Sequence, residues 1–298
     1  MFVAQKLMKY AISTARLLVL LSICFVILYQ LFSKISVSFM SVTDLYDAAV
    51  VYIPKHFTWS NYKSVMEQVG YFKAVLKTGA FTLLVAFLQV ASSLLAGYGF
   101  ARFNFRGKNL FFAFAILTLI IPSQNIMAPL YFQFQNFNFW GLLGDNGFNL
   151  LNTAWPIVLM STTCMGLNNC IYIYMFRQYF KGFPKELEES GQIDGASTFV
   201  IFTRIILPSA TAMIATAFLF SFVWQWTDTF YVNTFMPGND FLAVQLQSVP
   251  RILGNTDSYK LKILSNTSII LLVLPILLIF LFAQRYFVES IERSGLVG

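Results

Sequence analysis

The side chains able to do acid–base or ion-pair chemistry in this chain are few, and they are concentrated. The densest group is Lys185-Glu186-Leu187-Glu188-Glu189-Ser190-Gly191-Gln192-Ile193-Asp194-Gly195-Ala196, the most acidic run in a largely apolar sequence. Pro184 stands where a helix can begin without losing a hydrogen bond. Glu186, Glu188 and Glu189 then crowd the positive end of the helix dipole. Gly195 suits the left-handed residue that closes a helix, and Ser197 or Thr198 can cap a second helix beginning near Phe199. Ser190, Gly191, Gly195 and Ala196 leave one surface nearly bare, so another backbone could come close. On spacing alone, an ordinary charged loop between two apolar segments accounts for the run equally well.

Catalytic patterns are missing elsewhere. His56, the only histidine, lies outside the apolar runs with no motif around it and reads as an incidental surface residue. Cys24, Cys164 and Cys170 fall in apolar segments without a CxxC pair, which indicates buried free thiols rather than zinc or disulfides. Gly107-Lys108-Asn109 resembles the end of a phosphate-binding loop. That loop requires glycine where Arg102 stands and Ser or Thr where Asn109 stands. Neither HExxH nor GxSxG occurs, nor GxGxxG opening a βα unit. Asp228 is the best candidate for a functional intramembrane charge, near the outer end of its helix. Such charges are scarce, so the energy for any transport must come from elsewhere.

The elements positioning these residues are membrane helices. The 298 residues are 57% hydrophobic and 11% charged, against about 25% charged in a soluble domain. The net charge of +7 is not a nucleic-acid patch. Lys and Arg sit at the ends of apolar runs, as the positive-inside rule expects. Lys6, Lys9 and Arg16 precede an uncleaved first span over Leu17–Phe32. A polar, aromatic connection follows to Phe72, broken at Ile53-Pro54. The second span covers Ala74–Phe100. Ser93, Gly97 and Ala101 offer a small face for close packing, though Gly97-Tyr98-Gly99 is equally compatible with a kinked helix end. The third span, Leu110–Phe134, holds Gln124 and Asn125 between Pro122 and Pro129. A broken polar helix marks either a translocation path or a locally satisfied kink. The fourth span is Thr153–Phe176, the fifth runs from Ile205 through Pro208 to Phe235, and the last is Leu264–Phe287. External connections include residues 135–152 and the segment with Pro237, Gly238, Pro250 and Gly254. The expected fold is an all-α membrane protein of about six transmembrane helices with both termini cytoplasmic.

The acidic run then gains a specific meaning. Glu189-Ser190-Gly191-Gln192-Ile193-Asp194-Gly195-Ala196, followed by Ile205-Ile206-Leu207-Pro208, resembles the EAA loop of ABC importer permeases. That pattern is Glu-Ala-Ala, three residues, Gly, nine residues, then Ile-x-Leu-Pro, and the spacing matches. Gly97-Tyr98-Gly99-Phe100-Ala101-Arg102-Phe103-Asn104-Phe105-Arg106-Gly107 is similar to a turn of carbohydrate permeases. Ile121-Pro122, Pro129-Leu130-Tyr131, Arg177-Gln178-Tyr179-Phe180, Trp226-Thr227-Asp228 and Gln284-Arg285-Tyr286-Phe287 match further family patterns. Together they cover the chain from about residue 50 onward.

The resemblance implies the ABC type I importer permease fold and one half of a sugar channel, with oligosaccharides favoured. It implies a second homologous permease, two cytoplasmic ATPase subunits carrying ATP and Mg, and an extracytoplasmic solute-binding protein. This chain would hold no cofactor or metal, have no enzymatic activity of its own, and lie in the bacterial inner membrane. The implied organisation is an N-terminal helix and external connection (1–72), a transmembrane domain (73–288) with the coupling loop at 181–208, and a tail (289–298). Coupling residues would be Glu188, Glu189, Ser190, Gly191, Asp194, Gly195, Ala196 and Pro208. Candidates for the substrate path are Asn125, Asn168, Trp226 and Asp228, because sugars need hydrogen-bonding groups and flat apolar faces. Each of these four also suits helix packing. The family's two alanines are Ser190 and Gly191 here, a proline often found after Pro208 is replaced, and Ser294-Gly295-Leu296-Val297-Gly298 departs from the usual tail. Rival readings are a permease for another delivered solute, a secondary carrier, an intramembrane enzyme and a non-transporting scaffold.

Overall fold

The computed structural model describes residues 2–138, 141, 147–254 and 257–295. In chain order the helices are α1 (Phe2–Ser38), α2 (Val42–Tyr46), α3 (Ser60–Val69), α4 (Tyr71–Arg102), α5 (Lys108–Ile120), α6 (Ser123–Gln135), α7 (Trp155–Thr162) and α8 (Asn169–Gly182). They continue with α9 (Glu186–Ile193), α10 (Thr198–Ile201), a π-helical turn over Phe202–Ile206, α11 (Leu207–Ser209), α12 (Thr211–Thr227), α13 (Phe230–Phe235), α14 (Leu242–Gly254) and α15 (Ser258–Gly295). Among the described residues, extended pairing outside these helices is one antiparallel bridge, Phe137 with Phe148.

Among the described residues, three stretches are long and apolar enough to cross a bilayer: Met8–Ser38, Tyr71–Arg102 and Ser258–Phe282. Two bent pairs bring the number to five if each is one span. The first is α5 with α6, at 105°. Its corner is Ile121, forced into extended backbone (φ −74°, ψ 118°) by the proline that follows. Pro129 stays inside α6. The second pair is Thr198–Ser209 with α12, at 74°.

The fourth span expected over Thr153–Phe176 is built of two helices, because α7 stops at Thr162 and α8 begins at Asn169. Cys164 (φ 62°) and Asn168 (φ 58°) take left-handed backbone between them. Two stretches expected as irregular connections hold helices. In α3, Tyr62, Val65 and Val69 form a buried stripe at three- and four-residue spacing. In α14, Pro250 is accommodated within the helix. Gly144, Asp145 and Leu296-Val297-Gly298 lie outside the described residues.

Contacts divide the chain into two units. One contains Met1–Phe72 and Gln245–Pro275. Here α1 exposes Leu17–Phe32 on every side, a surface that requires lipid. Cys24 lies on it and is exposed, not buried as expected. The end of α1 is tied to α3: Asn61 Nδ2 donates to the carbonyls of Ser38 (3.0 Å) and Met40 (2.9 Å). Asp44, 1% exposed, accepts from the His56 backbone N–H at 3.0 Å and from its ring Nδ1 at 2.6 Å. An ionised carboxylate only accepts, so Nδ1 carries the proton. His56 is therefore a structural partner and not an incidental residue.

The other unit contains Lys73–Val244 and Ile276–Gly298. Gly97 settles the two readings of the small face on α4. A Cβ there would stand 2.5 Å from Phe176 Cβ and 3.1 Å from Arg177 N, so α4 and α8 touch backbone to backbone. Tyr98, Phe176, Phe180, Ile201, Phe202 and Ile206 share the core beside that contact. Polar groups on α4 also pair with α8, α7 and α12. Asn169 Nδ2 donates to Ser93 Oγ at 2.8 Å, Ser92 Oγ to the Ser161 carbonyl at 2.7 Å, and Ser221 Oγ to Gln89 Oε1 at 2.5 Å. With no water available at membrane depth, such groups must find each other.

Candidate coupling site

The acidic run forms α9 as its residue types dictate. Glu186, Glu188 and Glu189 occupy the first turn. The helix closes in a Schellman motif at Gly195 (φ 79°): Ala196 N donates to the Gly191 carbonyl at 2.9 Å and Gly195 N to the Gln192 carbonyl at 3.0 Å. Ser197 then caps α10, its Oγ accepting from Val200 N at 3.4 Å. Pro184 lies two residues before the helix, with Lys185 at the cap position.

The bare surface is divided between two duties. Ser190 and Gly195 are exposed and Ala196 is half-buried. Gly191 is buried, and a Cβ on it would stand 3.1 Å from Ile201 Cγ1 and 3.3 Å from Ile205 Cδ1. Its smallness lets α10 and the π-helical turn close onto α9. Glu189 and Asp194 point to the outside. Beside them stand three uncovered apolar side chains: Leu187 (46% exposed), Ile193 (85%) and Phe199 (74%). The sequence reading passed over these; the available signal was large apolar residues recurring in an otherwise polar loop.

Glu188 turns inward. Its Oε1 lies 2.8 Å from Arg102 Nε, with the side chains 15% and 7% exposed. The distance is that of an ion pair, yet neither atom meets the angular requirement of a hydrogen bond. The guanidinium also donates from Nη2 to the Phe183 carbonyl at 2.6 Å. Arg102 thus fastens the end of α4 both to the chain entering α9 and to α9 itself.

The run continues into a bent rod. In the π-helical turn, Leu207 N bonds the Phe202 carbonyl five residues back. Pro208 next supplies no N–H, and the axis turns at Ala210. Tyr179 on α8 donates its hydroxyl to the Ser209 carbonyl at 2.6 Å. The corner is therefore held from outside the rod.

The four path candidates do not share one cavity. Asn125 is exposed in the first turn of α6. Asn168 is half-buried and lines a cavity of about 220 Å3 with Pro122, Gln124, Gly166 and Asn169, between the two helix breaks. Trp226 is 2% exposed, stacked on Phe222 and seated over Gly79, so it offers no face to a sugar in this conformation. Asp228 accepts from the backbone N–H groups of Phe230 (3.1 Å), Tyr231 (3.2 Å) and Val232 (3.2 Å), so its carboxylate starts α13.

Residues 90–293 match the family described as the binding-protein-dependent transport system inner membrane component. A probable ABC transporter permease protein of Pyrococcus horikoshii is 31% identical over 71% of this chain and 68% of its own length. An arabinooligosaccharides transport system permease protein of Halalkalibacterium halodurans is 24% identical over 93% of both chains. Among solved structures, a chain of a bacterial ABC transporter involved in importing the acidic polysaccharide alginate superposes with a TM-score of 0.67 at 21% identity, covering 93% of this chain and 96% of its own. The family match spans both faces of the Gly97 contact, α9 and the bent rod. The chain belongs to the family of binding-protein-dependent transport system inner membrane components.

Proposed function

We propose that this chain is one of two permease subunits of an ATP-driven sugar importer, with oligosaccharides as the favoured cargo. The observation that carries the coupling half of this reading is α9 itself: a short capped helix with uncovered Ile193 and Phe199, continuous through the π-helical turn with the Pro208 corner. The sugar half is supported by the arabinooligosaccharide relative and by the alginate importer whose fold this chain shares.

In this reading the chain crosses a bacterial inner membrane six times with both ends in the cytoplasm. The segment 1–72 supplies a first helix and an external connection, 73–288 the transmembrane domain, and 289–298 a tail. A homologous permease completes the channel. Two cytoplasmic ATPase subunits hold ATP and Mg and receive α9 in a cleft, and an extracytoplasmic binding protein delivers the sugar. Closure of the ATPases moves α9. Because Arg102 binds α9 to α4 and Tyr179 binds the corner to α8, the displacement passes to both helices as well as to α12. Glu189, Ser190, Asp194, Gly195 and Ala196 form the docking side, while Glu188, Gly191 and Pro208 stiffen the lever. The sugar path follows the cavity at the helix breaks, with Asn168 on its wall and Asn125 nearby in sequence to Gln124. Trp226 and Asp228 enter the path only if the outward state uncovers them.

The test is glycan uptake by proteoliposomes containing the chain with its partner permease, ATPases and binding protein. ATP-dependent accumulation of an oligosaccharide supports the proposal. Accumulation of only a non-carbohydrate solute, or none without a pre-set ion gradient, overturns it in favour of another cargo or a secondary carrier.

A further inference from the structure

The motif that failed as a phosphate-binding loop occupies a place where a phosphate would be held by other means. Gly107, at φ 81°, turns the chain from α4 into the 13-residue α5. The first turn of α5 (Lys108, Asn109, Leu110) lines an open basin of about 520 Å3. Arg177 and Lys181 of α8 line the same basin. Three cations and a helix N-terminus therefore face one space, and both attract anions. Among the described residues, no carboxylate lines the basin and none of the three cations forms an ion pair with one.

Two of the cations, Arg177 and Lys108, are held in place without being neutralised. The Arg177 guanidinium lies 3.9 Å from the centroid of the Phe112 ring, and its buried Nε has no hydrogen-bond partner among the described residues. Lys108 Nζ donates to the Phe103 carbonyl at 2.8 Å and to the Ala101 carbonyl at 3.5 Å. An ammonium has three donors, so one remains open to a ligand. Like charges gathered in this way repel one another unless an anion joins them.

The surroundings specify what kind of anion. α5 has no buried residue, and Leu110, Phe111, Phe114 and Leu117 are all exposed. This apolar surface begins at the basin and runs along the helix. A ligand matching both features carries a phosphate at one end and hydrocarbon at the other. We propose that the basin binds the headgroup of an anionic phospholipid, whose acyl chains lie along α5. The inference rests on the membrane placement given above, with the α4–α5 turn at the cytoplasmic face, and such basic pockets between membrane helices suit lipid headgroups.

The test is native mass spectrometry of the full chain in detergent, titrated with phosphatidylglycerol, phosphatidylcholine or inorganic phosphate. It needs no transport activity, so its result is separate from the fate of the importer reading. Phosphatidylglycerol should be retained well above phosphatidylcholine. Retention should fall by about two orders of magnitude in the Lys108→Gln/Arg177→Gln/Lys181→Gln variant and survive in Lys108→Arg/Lys181→Arg. A charge-matched control, Lys63→Gln/Arg251→Gln/Lys260→Gln, should bind as the wild type does. Should the triple variant not fold, Lys181→Gln alone should show a smaller loss in the same direction. Equal retention of both lipids, an equal loss in the control, or phosphate that binds alone and displaces lipid would each overturn the proposal. So would an acidic protein partner that occupies the basin in the assembled transporter and excludes lipid.

Discussion

Arg102 Nε and Glu188 Oε1 stand 2.8 Å apart, nearly out of solvent, and join the end of a membrane helix to the helix proposed to dock into the ATPase. Removing one member of a buried pair leaves the other uncompensated, at a cost of about 3–5 kcal/mol. Arg102→Ala should therefore lower the thermal stability of the purified chain. It should also reduce transport more than Glu186→Gln, because Glu186 is exposed and is not among the docking residues. Unfolding midpoints and uptake rates of the two variants check this.

Ile193 and Phe199 are uncovered in a loop otherwise faced with polar groups. If they dock on the ATPase, Ile193→Asp and Phe199→Asp should release the ATPase subunits during co-purification without shifting the unfolding midpoint of the isolated chain. Retention of the ATPases by both variants would remove these residues from the interface.

Gly97 should tolerate no side chain. A Cβ at 2.5 Å from Phe176 Cβ forces α4 and α8 apart. Overpacking of this kind costs roughly 1–3 kcal/mol, so Gly97→Ala should destabilise measurably in thermal unfolding. Gly182→Ala, where no atom lies within 4 Å, serves as the comparison.

Asp44 gives one unit of the chain an acid-sensitive joint. Burial pushes its carboxyl upward, but the hydrogen bonds it accepts from the His56 ring and backbone and from the Ser41 backbone outweigh burial and hold it below the usual carboxylate value. A group depressed in the folded state stabilises above its unfolded value, about 3.9, and loses that contribution as pH falls through the folded value. Stability should therefore drop below about pH 4, and Asp44→Asn should flatten that part of the profile. Thermal unfolding across pH 3–6 reads both.

How much of this was legible in the sequence differs from element to element, for physical reasons. α9 was legible because its signals are local: first-turn acids, a closing glycine at Gly195 and a cap at Ser197. The long apolar helices were legible for the same reason. The break between Thr162 and Asn169 was not. It depends on Gly166 letting the Asn169 and Gln89 carboxamides approach, a contact made across helices. The Arg102–Glu188 pair joins residues far apart in sequence, and no local pattern distinguishes it from two surface charges. Gly191 was read as outward because its type is small, and only the fold shows that Ile201 and Ile205 lie over it. Trp226 and Asp228 were assigned to a path by residue type, whereas in this conformation one is spent on packing and the other on a helix start.

The central claim is that α9 transmits ATP hydrolysis to this chain, and Gly195→Asp tests it most directly. Gly195 is in the left-handed region with no atom within 4 Å of the added Cβ, and aspartate is among the residues that tolerate this backbone. The helix should therefore still close, and the new charge and bulk should face the docking partner. The measurement is sugar-stimulated ATP hydrolysis by the assembled transporter in proteoliposomes. Loss of stimulation with the chain still inserted and folded is the predicted result. Stimulation at the wild-type rate would contradict the claim.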